Sequence, residues 1–255
     1  MRWAAASLIT LLWMPAAAQA VTCEAMRHDG DRYTICRVDA ATEDLRLFLS
    51  DASGTPYGQF DTLQAALRSQ GQTLAFAMNG GMYHDDRSPV GHYIENGEER
   101  MRVIPNAGPG NFGLLPNGVF CIRDTRADVI ETLTYQAAPP DCTFATQSGP
   151  MLLIDGALHP RFLPDSTSRF IRNGVGTSAD GRQVVFAISS QGVTFDAFGR
   201  LFRDALALPN ALFLDGNVSR LHAPDFGRSD PGRRMGPILG VVVPDQALPG
   251  GVAPD

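Results

Sequence analysis

Apolar residues in this chain fall into short runs that end, again and again, in glycine, proline, asparagine or aspartate. Runs of that length suit strands better than long helices. Residues 33–38 and 45–49 alternate with period two, and residues 73–78, 119–122, 151–154, 184–188, 211–214 and 238–243 are apolar runs of strand length. Further strands are expected around residues 91–94 and 112–115. Pro116-Asn117-Gly118 turns the chain, and Asp155-Gly156 closes a hairpin back to Ala157-Leu158. Two stretches carry helical spacing. Residues 60–67 place Leu63, Ala66 and Leu67 on one face and stop at Gly71. From Thr194, a good capping residue, Phe195, Phe198, Phe202 and Ala205 share a face as far as about Leu206. No linker interrupts this pattern. The expected fold is α+β, a single domain over residues 21–245 with mixed β-sheets flanked by a few helices, followed by a loose Pro- and Gly-rich tail over 246–255.

The first residues set the compartment. Arg2, the apolar run Leu8-Ile9-Thr10-Leu11-Leu12-Trp13-Met14 and the small-x-small Ala18-Gln19-Ala20 make an export signal over residues 1–20, cut after Ala20. Its apolar part is shorter than the roughly 20 residues that cross a bilayer. Cys23 follows the cut, but Thr22 precedes it and Ala20 stands where a lipid-attachment signal carries leucine. The expectation is a periplasmic or secreted protein without a membrane span. The four cysteines allow three pairings. Cys23–Cys36 with Cys121–Cys142 is preferred, because each closes a short loop between strands in an oxidising compartment. The rival, a zinc site, lacks close C-x2-C spacing.

Charge excludes several functions. The chain has net charge −6, and loss of Arg2 makes it more negative still. That argues against a nucleic-acid partner. Every basic residue is arginine, with no lysine anywhere, so phosphate-loop, Schiff-base and pyridoxal chemistry are ruled out. An anion must be held by arginine, by backbone N–H groups or by a metal ion. The G-x-S-x-G elbow, the H-E-x-x-H helix and a strand-borne G-x-G-x-x-G are all missing.

Two apolar strands end in a polar residue followed by glycine, at Asn79-Gly80-Gly81 and Asp215-Gly216-Asn217. Either is a plain turn or a site where substrate approaches bare backbone. Between them, Arg172 lies beside Asn173-Gly174-Val175-Gly176-Thr177; it reads as a phosphate grip or as a salt-bridged strand residue. His84, Asp85 and Asp86 read as a solvated loop, a second acid/base, or ligands for a divalent cation. His92, His159 and His222 have no ligand-spaced partner; His222 is of interest for following the Asp215 turn.

Five blocks, taken in order, give the chain a likeness. They are NGGMYHDDRSPVGHYIENGEE (79–99), NFGLLPNGVF (111–120), SGPMLLIDGALH (148–159), RNGVGTSADG (172–181) and LFLDGNVSRL (212–221). The set resembles the phosphodiester glycosidase family, one animal member of which removes N-acetylglucosamine from a phosphodiester on mannose. The resemblance implies a glycan or sugar-phosphodiester substrate and a site built on Asn79, Arg172 and Asp215 as catalytic residues. It adds Ser219 beside Asp215, and with the residues around these turns, Gly80, Gly81, His84, Ser148, Gly149, Gly176, Thr177, Gly216 and Asn217, this serine makes up the candidate binding surface. Many members carry further glycines where this chain has Asn217-Val218, which bears on sugar specificity. In the implied reaction the leaving group is already a phosphate monoester, so the needs are one carboxylate near C1 and one guanidinium on the phosphate. Asp215 would act as base or nucleophile, Arg172 as clamp, and Asn79 would orient hydroxyls or water. No cofactor is required for this, although the His84 loop could hold a divalent cation. The alternative is a non-catalytic envelope protein that binds phosphorylated glycan.

Overall fold

The computed structural model describes residues 21–215 and 218–245; the expected signal segment, Gly216, Asn217 and the tail after Asp245 lie outside the described residues. Strands dominate, in three sheets. The largest has seven, in spatial order Thr22–His28, Asp31–Asp39, Gln183–Ser189, Asn173–Thr177, Asn210–Asp215, Met151–Ile154 and Ala157–Leu158. A five-stranded sheet runs Arg228–Ser229, Leu221–Ala223, Gln72–Asn79, Ile238–Pro244, Asp44–Phe48. The third runs Glu98–Met101, Tyr93–Glu95, Phe144–Ser148, Gly118–Arg123, Arg126–Glu131.

Every strand pairing among the described residues is antiparallel, which corrects the expected mixed sheets. Asp44–Phe48, the helix Phe60–Arg68 and Gln72–Asn79 do form a strand–helix–strand unit. Its two strands are not neighbours, however. Ile238–Pro244 is inserted between them and runs against both, with Ile238 facing Phe48 on one side and Asn79 on the other.

The seven-stranded sheet is covered on both faces, so its strands read as apolar runs rather than clean alternation. On one face Cys36, Val38, Val184, Phe186, Leu212 and Leu214 join a core shared by all three sheets. Phe186 meets Phe76 of the second sheet at 4.8 Å and Phe120 of the third at 6.1 Å. On the other face Tyr33, Ile35, Val185 and Phe213 pack against Phe198, Leu201 and Phe202. These come from the helix Phe195–Arg200 and the π-helical turn Leu201–Ala205 that continues it. Thr194 caps that helix, its Oγ1 accepting from Ala197 N–H at 3.1 Å. The helix can lie this close because Gly174 and Gly176 face it. A Cβ on Gly176 would come within 2.9 Å of Phe202 and 2.7 Å of Leu208.

Both preferred disulfides are present. Cys23 and Cys36 face each other across the first hairpin, Cα atoms 4.1 Å apart, and Cys121–Cys142 ties a central strand to the loop before Phe144. A zinc site on these cysteines is thereby overturned, since no cysteine among the described residues is free. The strand expected at residues 112–115 is instead a tight turn, closed by Leu114 N–H on the Asn111 carbonyl. Pro109 and Pro116 remove ladder donors, and Gly108 and Gly113 let two backbone segments touch, leaving a loop that lines the site.

Candidate active site

Two sheets end side by side, and buried amides join them. Asn79 closes the strand Gln72–Asn79, while Asn173 and Asp215 sit opposite each other at the end of the seven-stranded sheet. The Asn173 amide donates to Asn79 Oδ1 at 2.7 Å, and the Asn79 amide donates back to Asn173 Oδ1 at 3.2 Å. Asp215 N–H donates to Asn173 Oδ1 at 3.1 Å, and Arg220 N–H to Asn79 Oδ1 at 3.0 Å. Both asparagines are fully buried. In low dielectric such a satisfied network is stiff, and leaving any member unpaired is costly. Ser148 Oγ donates to the Leu214 carbonyl at 2.8 Å, and Ser219 Oγ lies within 3.1 Å of the Asp215 and Ile171 carbonyls. The backbone of Asp215 is therefore fixed from several sides.

Asp215, 8 % exposed, lines a cleft of about 640 Å³ together with Arg172. Arg172 is only 1 % exposed. Its guanidinium lies 3.6 Å from the centre of the Phe195 ring, with Phe213 and Phe170 at 5.5 and 5.6 Å. Nε donates to the Val193 carbonyl at 2.9 Å and Nη2 to the Ser168 carbonyl at 3.2 Å. Burial pulls its pKa down to about 10, so it stays charged at neutral pH. A cation held among aromatic faces and carbonyl oxygens at the wall of a cleft favours an incoming anion.

The mouth of the cleft is also basic. Arg87, Arg233 and Arg234 line it, against Asp85 as the one further carboxylate. Arg87 adopts φ of 76° and lies 5.3 Å from the centre of the Tyr83 ring. Tyr83 OH donates to the Arg234 carbonyl at 3.0 Å, and burial, then the Asp215 charge, push the pKa of that hydroxyl up. Arg220, 6 % exposed, anchors the Arg233 segment from beneath. It donates to the carbonyls of Asp230 and Arg233 and to Gln59 Oε1, all within 3.0 Å.

Other residues expected at the site lie elsewhere. Asn79 does not line the cleft; its amide faces Asn173 and the Arg220 backbone, which gives it a place behind Asp215 rather than beside a ligand. Gly176 and Thr177 lie along the strand interior, the glycine under the helix and Thr177 Oγ1 accepting from Val129 N–H at 3.1 Å. Gly80 is packed against Leu47 and Leu239, Gly81 against Thr146, and Gly149 against Asn117, so their lack of a side chain serves close packing. Ser148 and Ser219 brace backbone. His84 and Asp86 are exposed, and the Asp86 carboxylate accepts from the Ser88 hydroxyl and N–H, which holds its pKa below the usual range. Among the described residues no three His, Cys, Asp or Glu side chains converge as metal ligands. His92 bonds Tyr135 and the Met101 carbonyl, His159 stacks on Phe162, and His222 meets Ser229 and Phe60, all away from the cleft. Sequence reasoning missed Arg87, Asn173, Arg220 and Arg233. Asn173 alone carried a signal, since it adjoins Arg172 and is as polar.

An antiparallel three-sheet fold whose strand ends converge on a carboxylate and a buried guanidinium defines a pocket suited to an anionic ester. Comparison with known proteins gives that class a name. The model of the phosphodiester glycosidase family matches residues 72–242, and the chain belongs to that family. It is 35 % identical over 185 residues to the uncharacterised protein YigE of Escherichia coli (strain K12), covering 72 % of each chain. Its fold is similar to the catalytic domain of zebrafish N-acetylglucosamine-1-phosphodiester alpha-N-acetylglucosaminidase, auto-inhibited by its pro-peptide, with a TM-score of 0.59 at 15 % identity over 87 % of this chain and 81 % of that one. It is also similar to a hypothetical protein from Synechocystis, with a TM-score of 0.58 at 13 % identity over 88 % and 62 % of the respective chains.

Proposed function

We propose that the chain is an exported hydrolase that cleaves a glycosyl phosphodiester in the cell envelope. Arg172 takes the phosphate. Its planar fork presents donors to two phosphate oxygens, and aromatic walls keep water away from the contact. Asp215 faces C1 of the sugar, as base for a water or as nucleophile. The C1–O bond breaks with its electron pair going to the phosphate oxygen; water supplies hydroxyl to C1, and its proton passes to the carboxylate or to solvent. Arg172 stabilises the charge that grows on the departing phosphate monoester. Asn79 acts through Asn173 as a positioning residue for Asp215. No cofactor enters this scheme. The two disulfides support an oxidising compartment, periplasmic or extracellular.

The observation that carries the reading is a buried arginine and an aspartate lining one cleft, in a chain of the phosphodiester glycosidase family. The test is a screen of the protein lacking residues 1–20 against sugar-1-phosphodiesters, reading free sugar with and without chelator. N-acetylglucosamine belongs in the panel because the zebrafish neighbour acts on it. Wild type should release sugar in both conditions, while Asp215→Asn and Arg172→Ala should each lose at least about a hundredfold in kcat/KM. Binding of sugar phosphates without any release would leave a binding module instead; near-normal turnover by Asp215→Asn would remove its assigned role.

A further inference from the structure

One phosphodiester carries a single negative charge, and Arg172 answers it. The cleft holds more than that. Four arginines line it, Arg87, Arg172, Arg233 and Arg234, against Asp85 and Asp215, an excess of positive charge in a chain of net charge −6. Random placement in an acidic protein does not favour such an excess, and a low-dielectric cleft concentrates its field. The surplus lies at the mouth. Arg233 is exposed and Arg87 half-buried, whereas Arg172 and Asp215 are buried at the base.

The mouth is also built rather than loose. Gly236 brings the Arg233 loop against the Arg87 loop so closely that a Cβ there would lie 2.5 Å from Tyr83 Cβ and 2.8 Å from the Arg87 carbonyl. The Tyr83 hydroxyl bond to the Arg234 carbonyl joins the same two loops, and buried Arg220 grips the Arg233 carbonyl at 2.9 Å. Arg234 has a structural tie of its own, Nη2 donating to the Pro56 carbonyl at 2.9 Å. Arg87 and Arg233 thus stand on loops fixed to each other, both line the cleft, and both charges act on the Tyr83 hydroxyl between them.

We infer that Arg87 and Arg233 form a second anion subsite that reads a phosphate or carboxylate on the alcohol side of the substrate. The preferred substrate is then a glycosyl phosphodiester whose leaving group is itself acidic, as in an anionic envelope polymer. In this arrangement sugar C1 lies by Asp215 and the bridging phosphate on Arg172, both buried, and the alcohol is the part assigned to the exposed end of the cleft. This rests on the functional reading given above, and binding measurements separate the two.

Two probes differ only in a terminal phosphate: N-acetylglucosamine-1-phosphate esterified to glycerol, and N-acetylglucosamine-1-phosphate esterified to glycerol 3-phosphate. Affinities are measured by calorimetry on Asp215→Asn, which keeps both probes intact, and cleavage on the wild type. The acidic probe should bind about tenfold tighter or more at low salt. The ratio should fall towards one in Arg87→Ala/Arg233→Ala and persist in Arg27→Ala/Arg68→Ala, two exposed arginines outside the cleft that match the change in net charge. Because Arg233 is exposed, Arg233→Gln alone, in a folded protein, should lower the ratio about threefold. Equal binding of the two probes overturns the inference, and so does a ratio that survives the double substitution. A preserved ratio without cleavage by the wild type leaves the subsite standing and removes the hydrolase; binding of neither probe removes both.

Discussion

Arg172 and Arg220 are both buried arginines, and their surroundings part company at once. Arg220 donates four hydrogen bonds, three to carbonyl oxygens and one to Gln59, and lies 4.9 Å from the centre of the Phe60 ring. It borders no part of the cleft and holds a loop in place. Arg172 donates two side-chain hydrogen bonds to carbonyl oxygens, holds its guanidinium carbon 3.6 Å from the centre of the Phe195 ring and lines the cleft that Asp215 also lines. Burial lowers the pKa of both. Burial alone therefore does not mark a functional arginine. What distinguishes the two is that Arg172 lines the cleft that Asp215 also lines, whereas Arg220 gives its donors to a loop.

The largest expected effect breaks the pair apart by chemistry. Arg172→Lys keeps the charge but loses the fork, so kcat/KM on a cleaved sugar-1-phosphodiester should fall by about 10² to 10³. The Ser168 carbonyl loses its donor while Val193 keeps the Phe170 N–H, at about 1 to 1.5 kcal/mol, a drop of roughly 2 to 6 °C in melting temperature. Arg220→Lys should show the reverse emphasis. Carbonyls left without donors cost about 3 kcal/mol, a drop of roughly 6 to 12 °C in melting temperature, while KM rises more than kcat falls because the Arg233 loop loosens. Equal behaviour of the two variants in both assays would erase the distinction.

Asn79→Ala tests the network behind Asp215. It strands the Asn173 amide and should cost about 1 to 3 kcal/mol. If Asn79 positions the carboxylate rather than touching substrate, kcat falls with KM nearly unchanged; a rise in KM alone would place it in contact with substrate after all.

The smallest effect concerns the Arg220 side alone. His222 packs on the same Phe60 ring, and burial holds its pKa below the usual value. A depressed folded value means that the stability it contributes is present above the unfolded value of about 6.5 and is lost as pH falls through the folded one. The wild type should therefore lose about 1 to 3 °C more than His222→Gln between pH 7.5 and 5. A melting curve equally sensitive to acid in both would show that this histidine carries no such linkage.

How much of this the sequence disclosed depended on whether the cue was local. Residues 184–188, buried on both faces, and the Thr194 cap were plain because apolar runs and caps act over a few residues. The Asp155-Gly156 turn was legible, and Asp29-Gly30 makes the same left-handed pair, φ 47° and 81°, yet the strand before it is exposed and polar and left no apolar run to notice. Gly176 and Thr177 looked close to a phosphate only because they follow Arg172. An extended strand carries them about 13 Å away in four residues, and the glycine serves the helix above. Asn79, Arg172 and Asp215 were picked out from strand ends and resemblance, and of these Arg172 and Asp215 line the cleft while Asn79 lies behind Asp215. Arg87 and Arg233 come from loops far apart in the chain, and nothing near either one announces that Gly236 lets those loops touch.

The claim beneath all of this is that the Arg172 guanidinium holds the phosphate of the substrate. Its most direct test is a calorimetric titration with a non-hydrolysable sugar-1-phosphonate ester, on wild type, Arg172→Lys and Arg220→Lys at one pH and one salt concentration. Affinity should fall at least about tenfold for Arg172→Lys and by less than half that for Arg220→Lys. An Arg172→Lys protein that binds the phosphonate as tightly as wild type would contradict the account.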